Sequence, residues 1–291
     1  MNYKISNSKL SVEISSKGGE LRSIQDTEGK EYLWQGDPAY WSDRAPTLFP
    51  FIGRLTRDSY QYQGTVYTMG IHGFAAGQDF ACQVQEKNRL VLELVDNEQT
   101  RKQYPFAFSL EIGFQLVGSQ VQISYGVKNR SRQVMPFGIG GHPGFRVPLD
   151  DGEDFTDYVV EFAGGCQPDR IGFTPQVYLS GQDEAYSLED GKYLSLRHDL
   201  FDQDAIILKN MSREVTLRSR VSSHGVTVSY PEMSYLGLWH WPKTDAPYLC
   251  IEPWTSLPAR QDVVEDFGCK SDLIHLLPGK TYTNIWSITI F

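Results

Sequence analysis

Residues 8–24, SKLSVEISSKGGELRSI, carry the pattern that decides the fold. Leu10, Val12 and Ile14 alternate with polar residues, Gly18 and Gly19 interrupt the run, and Glu20 to Ile24 resumes it. A period of two places the apolar residues on one face of a strand, and a glycine break between two such runs reads as a β-hairpin. The pattern repeats outward from there. Residues 60–69, YQYQGTVYTM, hold Gly64 between two Tyr- and Val-rich runs, a second hairpin. Residues 89–95, 109–116 and 121–128 read as further strands, and 214–220 and 225–230 as a pair joined at His224-Gly225. After the Pro278-Gly279 turn, Trp286, Ile288 and Ile290 alternate along a last strand. Helix signals are few. Asn97 caps a short helix expected through Arg101 and ended near Tyr104-Pro105, and another helical turn is expected over 262–267, stopped by Gly268. The Gly/Asp/Gln-rich segment 164–190 reads as long loops.

Composition points the same way. Of 291 residues, 87 are β-branched or aromatic and only 11 are alanine, which disfavours helical bundles and doubly wound α/β folds. The expected architecture is all-β: one large antiparallel β-sandwich domain over residues 1–291, with a few short helices. The net charge is −9 and no Lys/Arg run occurs, so a nucleic-acid partner is not expected. No apolar stretch approaches a membrane span, and MNYKISNSKL has no apolar signal region. Cys82, Cys166, Cys250 and Cys269 are widely spaced without a CxxC pair, as in a cytoplasmic protein with reduced thiols.

Four polar islands interrupt apolar runs. In Phe49-Pro50-Phe51-Ile52-Gly53-Arg54, the Arg reads either as partly buried, wanting a carboxylate or a substrate oxygen, or as a strand-end charge in a surface ion pair. His72 stands between glycines in Gly70-Ile71-His72-Gly73-Phe74, as a structural or a functional imidazole. In Gly138-Ile139-Gly140-Gly141-His142-Pro143-Gly144-Phe145 a tight, glycine-rich segment presents one imidazole; Pro143 and the lack of a following helix exclude a dinucleotide loop. Glu252 lies in the apolar run Tyr248-Leu249-Cys250-Ile251-Glu252-Pro253-Trp254, where a carboxylate needs partners and reads as a general base or a salt-bridge member. A weaker acidic island, Phe201-Asp202-Gln203-Asp204, opens another strand. Trp239, Trp241, Trp254 and Phe145 lie near these islands as candidate surfaces for stacking on the apolar face of a ligand. No GxSxG elbow and no HExxH or clustered Cys/His zinc spacing is present.

Taken together, the islands resemble the aldose 1-epimerase (galactose mutarotase) family, and most closely its LacX-like branch. APTLFPFIGRL (45–55), YQYQGTVYTMGIHGFA (60–75), GGHPGF (140–145), FDQDAIIL (201–208) and LCIEPW (249–254) carry the resemblance over nearly the whole chain. It implies Glu252 as general base and His142 as general acid. It implies Arg54, His72 and Asp204 as sugar-binding groups, with Asp202 as an alternative to Asp204. The sequence departs from galactose mutarotases proper in having GGHPGF for an Asn-His-Ser context and Gly53 for the Asn before the Arg.

The implied reaction interconverts the α and β anomers of an aldohexose or its phosphate, by ring opening and closure, with no cofactor and no metal. The acid and base are expected on opposite sides of the sugar, with Arg54 holding Glu252 ionised. Arg44, Arg57, Lys243 and Arg260 are candidate phosphate ligands. Three other readings stay open: a sugar-binding module without turnover, a glycoside hydrolase using Glu252 and Asp204, and a metal enzyme using His72, His142 and Glu252.

Overall fold

The computed structural model describes residues 1–291. Its largest sheet has nine antiparallel strands. Their spatial order is Tyr193–Ser195, Tyr158–Phe162, Glu214–Ser219, Gly225–Ser229, Thr281–Ile290, Gln120–Asn129, Phe108–Val117, Arg89–Val95 and Ala81–Gln85. Alternation dictates which face is buried. Val121, Ile123, Tyr125 and Val127 point inward, opposite Leu116, Phe114, Ile112 and Leu110 on one neighbour. On the other neighbour, Ile288 and Trp286 stand opposite Val121 and Ile123.

The second sheet has eight strands. Thr47–Leu48, Gly140–Gly141, Tyr248–Trp254, Tyr235–Trp239 and Ile206–Lys209 are adjacent in that order, and Gly144–Arg146 also pairs with Tyr248–Trp254. The two sheets meet face to face. Trp286 and Tyr125 press so closely on Gly141 that a Cβ there would lie 2.7 Å from Trp286 Cζ2 and 3.4 Å from Tyr125 Oη. A hydrophobic cluster of 65 buried residues fills the space between. The expected antiparallel sandwich is therefore present.

The two hairpins form as expected. Ser11–Ser15 pairs with Leu21–Gln25, joined by Asn2–Ser6 in a small sheet, and Ser59–Tyr62 pairs with Thr65–Thr68. The short helix is Glu98–Gln103, with Asn97 and Thr100 forming a reciprocal capping box. The expected helical turn over 262–267 is absent. Asp262 has a φ of 58°, which no right-handed helix adopts, and Glu265–Asp266 runs parallel to Tyr60–Gln61 as a short strand. The buried Glu265 carboxylate accepts bonds from Arg260 N, Nε and Nη2 at 2.9–3.0 Å, which anchors this segment in its extended form. No helix is long and apolar enough to cross a membrane. None of the four cysteines is disulfide-bonded; Cys82 and Cys269 are exposed and Cys250 is buried.

The strand Tyr248–Trp254 is buried along its whole length. Leu249 and Ile251 face the main core. Tyr248, Cys250 and Trp254 belong to two small clusters on the opposite face, so Glu252 also projects to that outer face.

Candidate active site

A cavity of about 550 Å³ opens on this outer face. The ladder register builds its floor. Gly140 pairs with Trp254 and Gly144 with Cys250, so the intervening His142 stands across from Glu252. On its other side Glu252 is paired with Gly237, whose missing side chain leaves the carboxylate room. His142 Nε2 lies 3.2 Å from Glu252 Oε2, and both side chains are buried. The acid and base expected on opposite sides of a ligand are thus direct neighbours.

Burial raises the Glu252 carboxyl well above its ordinary range; the Asp204 charge adds to this and the Trp254 indole opposes it. Burial, followed by the charge of His72, holds His142 well below its ordinary value. Each charged form is costly alone, so the pair as a unit carries one proton between its members. His142 Nδ1, Glu252 Oε2 and Trp254 Nε1 are all buried without a hydrogen-bond partner. Orphaned groups like these mark places where a polar ligand completes the network.

His72 is fixed from below. Gly53 N–H donates to His72 Nδ1 at 3.1 Å, and His72 N–H returns a bond to the Gly53 carbonyl at 3.0 Å. An accepting Nδ1 leaves the proton of the neutral ring on Nε2. Burial, then the neighbouring Arg54 guanidinium, pushes the His72 pKa down to about 4. Gly53 has a φ of 76°, and a Cβ there would fall inside the Pro258 ring. Only glycine fits, which accounts for the missing asparagine.

Arg54 is exposed at the cavity wall and makes no ion pair, so neither the partly buried nor the ion-paired reading of it holds. It does not hold Glu252 ionised; the carboxyl is raised, not lowered. Asp204 lines the cavity with a φ of 83°, its Oδ1 accepting from Ala205 N–H at 2.8 Å. Asp202 does not line it. Neither residue is on a strand, as the strand begins at Ile206: Asp202 ends the 3₁₀ turn His198–Phe201 and Asp204 follows it.

Trp239, Trp241 and Trp254 line the cavity; Phe145 does not. Phe145 pairs with Leu249, which faces inward, so its ring lies fully buried in the main core. Sequence reasoning missed Trp41 and Asp43. The Trp41 ring lies over His142 with centroids 4.9 Å apart, held by Trp34 Nε1–H donating to the Trp41 carbonyl at 2.8 Å. An indole in a polar loop, with no alternating apolar partners, was the available signal.

The donor set brought within 4.8 Å is His142, Cys250 and Glu252, whereas His72 spends Nδ1 on Gly53. The metal triad considered from sequence is therefore not assembled.

The aldose 1-epimerase family profile matches residues 1–288. The chromosomal protein LacX of Lactococcus lactis subsp. lactis is 34% identical, over 100% of this chain and 99% of the relative. A galactose mutarotase related enzyme from Lactobacillus acidophilus superposes with a TM-score of 0.95 at 34% identity, covering 100% of this chain and 97% of that one. A galactose mutarotase-like protein from Lactobacillus casei gives 0.94 at 30% identity, with 100% of both chains covered. The chain belongs to the aldose 1-epimerase family, and it is an isomerase of that family.

Proposed function

We propose that this protein interconverts the α and β anomers of a neutral aldohexose, with Glu252 as base and His142 as acid. The observation that carries this reading is the buried 3.2 Å approach of an otherwise unpartnered carboxyl and imidazole at the floor of a sugar-sized cavity.

The pair begins as carboxylate and imidazolium, one tautomer of the shared-proton pair. Glu252 takes the proton of the anomeric hydroxyl as its oxygen becomes a carbonyl. The bond from the anomeric carbon to the ring oxygen breaks, and that oxygen receives its electron pair and the His142 proton. The open-chain sugar now faces a neutral carboxylic acid and a neutral imidazole, the forms that burial favours. After rotation of the aldehyde, His142 takes the proton of the attacking hydroxyl and Glu252 returns one to the carbonyl oxygen. Protons balance over the cycle. Each transfer contributes roughly 10²–10⁴-fold. Arg54, Asp204 and the Nε2–H of His72 supply hydrogen bonds to hydroxyls, and the Trp rings supply apolar contact.

Cavity charge favours a neutral sugar over a phosphate. Asp43, Asp204 and Glu252 face Arg54 alone, and none of Arg44, Arg57, Lys243 or Arg260 lines the cavity. Arg44 is occupied with Gln35 and the Arg22 carbonyl, and Arg260 with Glu265.

Polarimetry tests the reading. Fresh α-glucose or α-galactose is expected to reach its equilibrium rotation faster with the protein. Glu252→Gln and His142→Asn are each expected to lose on the order of 10²-fold or more while remaining folded. No acceleration with any aldohexose, or full activity of both variants, overturns it.

A further inference from the structure

Trp241 lines the cavity, yet it is 45% exposed. Its aromatic neighbour is Trp239, edge-on with centroids 6.0 Å apart. With so much of the indole in solvent, packing alone does not fix it, and its backbone must. Three bonds hold that backbone. Trp241 N–H donates to Tyr248 Oη at 3.0 Å. The Trp241 carbonyl accepts from Thr244 Oγ1 at 2.7 Å and from His240 Nδ1 at 2.8 Å.

His240 is itself held from a second segment. It is fully buried, packed on Phe201 with ring centroids 4.5 Å apart and on Phe155 at 5.4 Å. A carbonyl only accepts, so His240 Nδ1 carries a proton. Burial pushes the His240 pKa down to about 4, against the bond to the Trp241 carbonyl and the charges of Asp202 and Asp245. The ring is therefore neutral near pH 7, and its Nε2 can only accept. His198 Nδ1 lies 3.2 Å from that Nε2 and donates to it. The His198 ring stacks on Phe155 with centroids 4.0 Å apart.

The two histidines thus join two parts of the site. His198 opens the 3₁₀ turn His198–Phe201, which leads directly to Asp204. His240 follows the strand Tyr235–Trp239 and precedes Trp241. Asp204 and Trp241 both line the cavity, and neither histidine does.

We propose that His240 and His198 are positioning residues for the sugar: His240 fixes the Trp241 backbone so that its exposed ring presents a preset face to the ligand, and His198 ties that ring to the segment carrying Asp204. This rests on the mutarotase reading. A ring already in place loses little freedom when the sugar binds, so the pair acts on affinity and leaves proton transfer to Glu252 and His142.

The test is steady-state polarimetry with glucose and galactose. His240→Phe keeps the aromatic packing and removes both bonds. It is expected to raise KM about fivefold and leave kcat within about twofold, the pattern of an interaction made equally in ground and transition states. Partial unfolding alone does the reverse, lowering the apparent kcat at unchanged KM. Trp241→Ala is expected to raise KM as much, and the double variant no further than Trp241→Ala, because both changes remove one contact. A His240→Phe KM within about twofold of the unaltered protein, or KM effects that multiply in the double variant, overturn the proposal. Should His240→Phe not fold, His198→Phe at its half-buried position removes the imidazole–imidazole bond and is expected to raise KM about threefold; an unchanged KM there overturns the proposal. If no sugar is turned over, the mutarotase reading fails by itself, and fluorine NMR of fluorotryptophan-labelled protein decides the positioning. The Trp241 resonance, identified by its loss in Trp241→Phe, is expected to shift or broaden in the same histidine variant; an unchanged resonance overturns it.

Discussion

Glu252 and His142 are both pushed toward their neutral forms, yet together they hold one proton, and this sets the pH dependence of the proposed reaction. The acid limb requires a second proton on the pair, and His142 accepts one only well below its ordinary value of 6.5. The alkaline limb requires loss of the shared proton, which the raised Glu252 carboxyl resists. The expected kcat/KM profile is flat through pH 6.5, with its acid limb below that value. An acid limb centred at or above 6.5 contradicts the shared-proton pair. Both residues stand out in the sequence as polar groups in apolar or glycine-rich runs. Their contact does not, because it depends on the register between segments that are distant in the chain.

At the scale of elements, glycine and capping positions carry the sharpest expectations. Gly141→Ala drives a methyl group into Trp286 at the seam between the sheets, next to His142. It is expected to cost about 1–3 kcal/mol in a denaturant titration and to lower activity as well. Asn97→Ala removes a cap that does not line the cavity, with an expected cost of about 1 kcal/mol and unchanged turnover. The strands and this cap are legible in the sequence because alternation and capping are local. Phe145 shows where local reading ends. Its neighbours in sequence belong to a functional island, but pairing with Leu249 turns its ring into the core. The segment 262–267 shows the same limit: a buried Glu265–Arg260 pair and a parallel partner strand override a short helical pattern.

For the whole molecule, buried neutral histidines make acid a destabilising agent. His72 and His240 are both depressed to about 4, in each case chiefly by burial. As pH falls through 6.5 the unfolded chain takes up protons on these rings while the folded chain does not, so stability falls until about pH 4. Glu265, depressed by Arg260, loses its contribution in acid too. Glu252, with its raised carboxyl, acts in the opposite sense. The expected net result is a lower urea midpoint at pH 4.5 than at pH 7, with a smaller difference when His240 is replaced by Gln. An equal midpoint at both values contradicts the balance.

The placement of His142 opposite Glu252 has a consequence for how such a chain diversifies. Ladder bonds between Gly140–Gly141, Gly144–Arg146 and Tyr248–Trp254 set the acid–base spacing. By contrast, Trp41, Asp43, Phe173 and Val177 belong to connecting loops. On the proposed reading, the sheet therefore fixes the ring-opening pair, while the loops shape the rim that would choose the sugar. A designer wishing to retarget this scaffold has a natural partition: graft new rims and leave the ladder alone.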